Sequence, residues 1–332
     1  MRASPIKNTA CKLFSLILGL SANTSYADIA DYLPAVPDNF WSTPIPANTQ
    51  LDPNSSNYVN EFIRQFNTYY GTVAIMTEAF SAPVFIADSS TPVVPVTQLG
   101  CQNTTPNPGL KAQLANVPVP AGTVSPADSD GEVVIYDPTS DTLWEFWKMQ
   151  NVNGNWQACW GGQIPNFSTS NSIFPWPYGA TATGLPLASG QITAEEIQSG
   201  QINHVIGIAL VDLADKSIFS WPANRSDGSN PNNIPNRIPA GTHFRLDPTI
   251  NVDALKLTPA GKVIAKAAQT YGFVVWDKSG ALTLRAQNVL TYTSQGLANP
   301  YPAVFGGKAN WAVLQNFPWN RLQFLPQNYG QQ

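Results

Sequence analysis

The sharpest pattern in the chain runs through residues 131–162, GEVVIYDPTSDTLWEFWKMQNVNGNWQACWGG. β-Branched and aromatic residues fill positions 133–137 and Pro138 stops them, which predicts a strand. Pro138-Thr139-Ser140-Asp141 supplies turn formers, and positions 142–149 are predicted to return as a second strand. On that strand Trp144, Phe146 and Lys148 share one face, while Leu143, Glu145, Trp147 and Met149 share the other. Asn153-Gly154 is a hairpin signal, so positions 156–160 are expected to run back as a third strand.

Helical spacing is scarcer. Tyr58, Phe62, Phe66 and Tyr69 recur at helical intervals after Ser55 or Ser56 as cap, and Gly71 closes the segment. Thr193-Ala194-Glu195-Glu196 is a capping box that opens a short helix ended by Gly200. Thr258-Pro259 starts a third helix, running to about Thr270 with Gly272 as its stop. Elsewhere the pattern reads as short strands and hairpins. Positions 204–212 and 217–221 form one pair, positions 273–276 and 281–285 another, and 243–246 a further strand. Residues 28–52 read as an extended arm anchored by Phe40 and Trp41, and residues 91–122 as a long proline-studded loop. The whole predicts an all-β fold, mainly antiparallel, a sandwich or jelly roll with about three short peripheral helices.

Composition narrows the compartment. Only 11% of the 332 residues are charged, against 29 Pro and 10 Trp, which suits a secreted β protein with many turns. Residues 1–27 read as a signal peptide, with Arg2, Lys7 and Lys12 before an apolar run over 13–22 and Ser25-Tyr26-Ala27 as cleavage site. That run is too short to span a bilayer, and residues 28–332 are expected to form a single secreted or periplasmic β-rich domain. Loss of the three basic residues takes the formal net charge from -4 to -7, which argues against a nucleic acid partner. Cys101 and Cys159 are then the only thiols, and an oxidising compartment should pair them.

Five stretches, SDGEVVIYDP, LWEFW, ATATGLPLASGQI, EIQSGQINHVIG and YGFVVWDKSG, resemble a family of secreted bacterial β-rich proteins without an assigned activity. The resemblance spans about Asp128 to Gly280. An Asn/Pro-rich insert after SWPANRSDGS departs from that pattern.

Chemistry rests on few residues. Glu145, set among aromatics, is a candidate general acid if burial raises its pKa, with Asp130 or Asp137 as nucleophile or base. His204 is a candidate base, and Arg245, alternating with His243, a candidate carboxylate neutraliser for a uronan lyase. Trp144, Trp147, Trp176 and His243 are candidate sugar contacts, because aromatic rings stack on sugar C–H faces. Asp128, Asp130 and Glu132 resemble part of a calcium loop, although Thr139 stands where a bidentate acid is needed. Calcium is the one cofactor this suggests. There is no phosphate loop, G-x-S-x-G elbow or H-E-x-x-H helix, and two histidines exclude a three-histidine metal site. The expectation is a carbohydrate-active enzyme hydrolysing glycosidic bonds in a polysaccharide or oligosaccharide. The alternatives are a uronan lyase and a non-catalytic glycan-binding or envelope protein.

Overall fold

The structure is a computed structural model that describes residues 39–101 and 105–331; the expected signal peptide and the first part of the expected arm lie outside them. The chain is mainly β, built from two principal sheets and two small ones. Among the described residues seven strand pairs are antiparallel and four parallel, so the sheets are mixed.

The six-stranded sheet has Ile206–Leu210 near its centre, a run buried at every position. Fully buried strands carry no polar alternation, and their neighbours are hard to read from pattern alone. Here the neighbours are Phe273–Lys278, parallel, and Thr283–Arg285, antiparallel. This corrects both expected hairpins. Ile206–Leu210 separates the two strands expected to pair across Asp277–Gly280, and positions 217–221 contribute only an isolated bridge from Phe219 to Ala240.

The four-stranded sheet keeps half of the expected meander. Val133–Asp137 pairs with Thr142–Trp147 as predicted, but the next neighbour is Trp160–Pro165. The chain turns at Lys148, whose φ is +54°, and the Asn153-Gly154 hairpin joins Gln150–Val152 to Asn155–Ala158 in a separate small sheet.

Seven α-helical segments occur among the described residues, against the three expected. Ser55–Thr68, Ala194–Ser199 and Pro259–Thr270 match the expected helices, and the capping box and the Thr258 cap both form, whereas the first helix starts from Asn54 without a side-chain cap in place of Ser55 or Ser56. The others run from four residues, as in Leu187–Gly190 and Tyr301–Val304, to six in Pro108–Gln113, too short to leave a period in the sequence.

Alternation sorts the core into layers. Ile206, Ile208, Phe273 and Val275 pack with the helices on one side of the large sheet. Val274 and Trp276 on its other side meet Val134, Tyr136 and Leu143 of the four-stranded sheet. The opposite face of that smaller sheet, with Val133, Ile135, Trp144 and Phe146, is covered by Leu110, Leu114 and Val117. Phe40 and Trp41 are buried anchors as expected, with the Trp41 indole N–H donating to the Ser172 carbonyl.

Cys101 and Cys159 form a disulfide with Cα atoms 5.4 Å apart, tying the loop to the end of the small-sheet strand. Unfolded but unreduced protein lacking residues 1–27 should therefore show no free thiol on titration. Reduction should lower stability by roughly 2–4 kcal/mol. Two titratable thiols are the contrary result.

Candidate functional site

The two principal sheets face each other across the Val274/Leu143 layer, and charged side chains gather where that layer opens. Glu132 precedes Val134 and Tyr136 by two and four residues, so it inherits their inward direction. Opposite it, Arg285 alternates with Leu284, which points to the helical side of the large sheet. A register shift places Ile208 against Val275 but Ala209 against Asp277, leaving Trp276 as the extra residue. Such a bulge re-aims the residue after it. Asp277 thereby joins Arg285 on the inter-sheet side.

The three residues form a buried triad. Arg285 Nη1 donates to Glu132 Oε2 at 2.6 Å and Nη2 to Asp277 Oδ2 at 2.6 Å. One guanidinium serves two carboxylates, so a negative charge is left over, and Asp130 adds to the repulsion. Burial raises the affinity of both Glu132 and Asp277 for a proton, and Arg285 opposes it. The same two carboxylates keep Arg285 firmly protonated despite its burial.

A cleft of about 610 Å³ opens over this triad. Asp130, Glu132, Asp227 and Asp277 supply carboxylates, Trp147 and Trp160 supply rings, and Lys278 supplies a cation. The Trp147 indole N–H points to Asp130 Oδ1 at 3.4 Å, and Lys148 Nζ lies 4.7 Å from a Trp147 ring centroid. Trp160 stacks on Tyr178 with centroids 6.3 Å apart. Arg225 holds one wall together: its guanidinium donates to the carbonyls of Pro177, Tyr178, Gly179 and Thr181 at 2.5–3.0 Å.

No known protein family, curated protein or solved structure matches the chain. The site therefore stands on its geometry.

Of the residues singled out from the sequence, Asp130, Glu132 and Trp147 meet in this cleft. Glu145 does not. It shares the inward face with Leu143, is 0% exposed, and accepts the Ala188 N–H at 2.9 Å. Its Oε2 has no hydrogen-bond partner among the described residues. Burial pushes its pKa up to about 8, as expected of a carboxyl among aromatics, with backbone N–H groups of Ala188 and Leu187 opposing. A proton held there cannot reach a substrate, so Glu145 is a core carboxylic acid and not the catalytic acid.

The remaining candidates other than Trp176 serve the fold. Asp137 accepts the Thr139 N–H at 2.9 Å and the Ser140 hydroxyl at 2.7 Å, closing its turn. Asp128 accepts the N–H groups of Asp130 and Gly131 at 2.8 and 2.9 Å, so it caps a turn instead of presenting its oxygens to calcium. Among the described residues no group of three His, Cys, Asp or Glu side chains is placed to hold a metal ion. His204 is buried, with Nδ1 2.8 Å from the Val205 carbonyl and Nε2 3.1 Å from Glu196. Arg245 donates to the carbonyls of Pro46 and Ala47 at 2.8 and 2.9 Å, and His243 Nε2 lies 2.7 Å from the Tyr271 carbonyl. His204 and Arg245 therefore do not converge on a substrate. Trp144 is buried, its N–H on the Gln113 carbonyl at 3.1 Å, and Trp176 is 72% exposed beside the cleft-lining Pro177.

Trp160, Asp227, Asp277 and Arg285 are cleft or triad residues that the sequence pattern did not single out. Asp277 falls in the gap between the strands expected at 273–276 and 281–285, because a bulge has no signature in a single chain.

Proposed function

We propose that the chain is a secreted or periplasmic carbohydrate-active enzyme whose 610 Å³ cleft hydrolyses a glycosidic bond. The observation that carries this reading is the convergence of two tryptophans and four carboxylates on one opening between the sheets. Rings offer stacking surface to sugar C–H faces, and carboxylates accept hydroxyl hydrogens. Glycoside hydrolysis needs one carboxyl that keeps its proton and one that does not. Glu132, buried and raised, suits the acid; Asp130, nearer solvent on the same segment, suits the nucleophile or base. The Cys101–Cys159 bond supports an oxidising compartment.

One observation favours a non-catalytic glycan-binding protein instead. Arg285 already engages Glu132 and Asp277, which is how a structural ion pair behaves. A polysaccharide panel assayed for new reducing ends separates the two. Wild-type protein should cut at least one polymer, Glu132→Gln should lower turnover by about 10²–10⁴-fold while glycan binding persists, and Glu145→Gln should leave turnover near wild type. Binding without cleavage by the wild type would leave the lectin-like reading standing. An unsaturated product with strong ultraviolet absorbance would mark a lyase.

A further inference from the structure

Aromatic residues continue past the mouth of the cleft. Trp147 and Trp160 are direct partners on neighbouring antiparallel strands, which sets their Cβ atoms about 5 Å apart, and both line the cleft. Trp160 in turn stacks on Tyr178, with the ring planes 23° apart. Tyr178 closes a tight turn, its N–H donating to the Pro175 carbonyl at 2.9 Å. Trp176 and Pro177 form the tip of that turn, and Pro177 is itself a wall of the cleft. The succession therefore leads from Asp130, where the Trp147 N–H points, to Trp176 on the outer surface.

Trp176 is 72% exposed. An exposed ring alone means little, because single apolar residues are common on protein surfaces. What sets Trp176 apart is the backbone on either side of it. The Arg225 guanidinium donates to the Pro177 carbonyl at 2.5 Å and to the Tyr178 carbonyl at 2.8 Å. The Trp160 indole N–H reaches the same Pro177 carbonyl at 3.3 Å, and the Asn224 amide holds the Phe174 carbonyl at 3.0 Å. The turn is thus fixed before and after Trp176, while the ring stays in water. A ring presented on an ordered turn binds without the entropy loss of ordering a loop.

We propose that Trp176 is an outer subsite, and that the cleft takes a linear chain of several sugar units that extends onto this ring. The inference rests on the reading of the cleft as a glycan site. A linear glycan repeats its C–H faces unit after unit, so rings set in succession contact successive units. A disaccharide seated at the carboxylates gains nothing from Trp176, whereas a hexasaccharide does.

Calorimetric titration with disaccharides and hexasaccharides of the cellulose, xylan, mannan and chitin series tests this. In at least one series the wild type should bind the hexasaccharide more tightly than the disaccharide. Trp176→Ala removes a ring that lies outside the core, so folding should be unaffected. It should weaken the hexasaccharide about ten-fold and leave the disaccharide within about two-fold of wild type. Trp176→Phe should restore most of the lost affinity. If Trp176→Ala weakens both lengths alike, or neither, the outer subsite is overturned while the cleft remains a glycan site. If no member of any series binds the wild type, the glycan reading of the cleft falls and the subsite falls with it.

Discussion

Replacing Arg285 by methionine should lower the unfolding free energy at pH 8 by about 3–5 kcal/mol. The guanidinium sits buried between Glu132 and Asp277 at the base of the cleft, and its removal strands two buried carboxylates. Coulomb attraction is strong in that setting, yet the larger part of the loss is desolvation left uncompensated. The sign with pH follows. Both carboxyls hold protons more tightly in the fold than in the open chain, and methionine strengthens that preference. The deficit should shrink as pH falls through the folded values towards the ordinary values of 4.5 and 3.8, because the carboxyls left without Arg285 are protonated in the fold, and grow as pH rises. Asp277→Asn in the Arg285→Met background should recover part of the loss, because one stranded charge is removed. Urea unfolding at pH 4, 6 and 8 measures this. A deficit below about 1 kcal/mol at pH 8, or one independent of pH, contradicts the triad as the buried charge centre.

Glu145→Gln should do the opposite. The carboxyl titrates near 8 in the fold and near 4.5 when exposed, so folding favours its neutral form. The stability this brings is complete below about pH 4.5 and is lost as pH rises towards 8. Glutamine has the shape of the neutral acid and no proton to lose. At pH 8–9 the variant should be about 1–3 kcal/mol more stable than wild type, the gain being limited by an amide that must fill the place of the unpartnered Oε2. At pH 4–5 the advantage should vanish or reverse. Parallel stability profiles from pH 4 to pH 9 would show that Glu145 is ionised in the fold, and the burial argument for this residue would fail.

These two residues also show what a sequence can convey. Alternation along 142–147 placed Glu145 and Trp147 on one face and Trp144 and Phe146 on the other, and the structure keeps that division. The two helix caps and the cysteine pair were readable because each depends on local chemistry or simple elimination. What alternation could not supply was depth. Glu145 and Trp147 share a face, but only Trp147 reaches the mouth of the inter-sheet layer. The four parallel pairings were equally hidden, since they join segments far apart and need no turn signal between them. The site suffered most from this. Glu132 and Arg285 are 153 residues apart, and Asp277 turns towards them through a bulge that only its neighbouring strand reveals.

Calorimetric titration of the wild-type protein and Trp160→Ala with neutral oligosaccharides tests the cleft most directly. Trp160 lines it, and its ring is half-buried, so alanine removes stacking surface without opening the core. At least one oligosaccharide should bind the wild type, and Trp160→Ala should weaken it by about ten-fold, the scale of a lost aromatic contact. Glu132→Gln should bind the same ligand and fail to cut it. If no oligosaccharide binds, or if Trp160→Ala binds as the wild type does, the cleft between the sheets is not a glycan site.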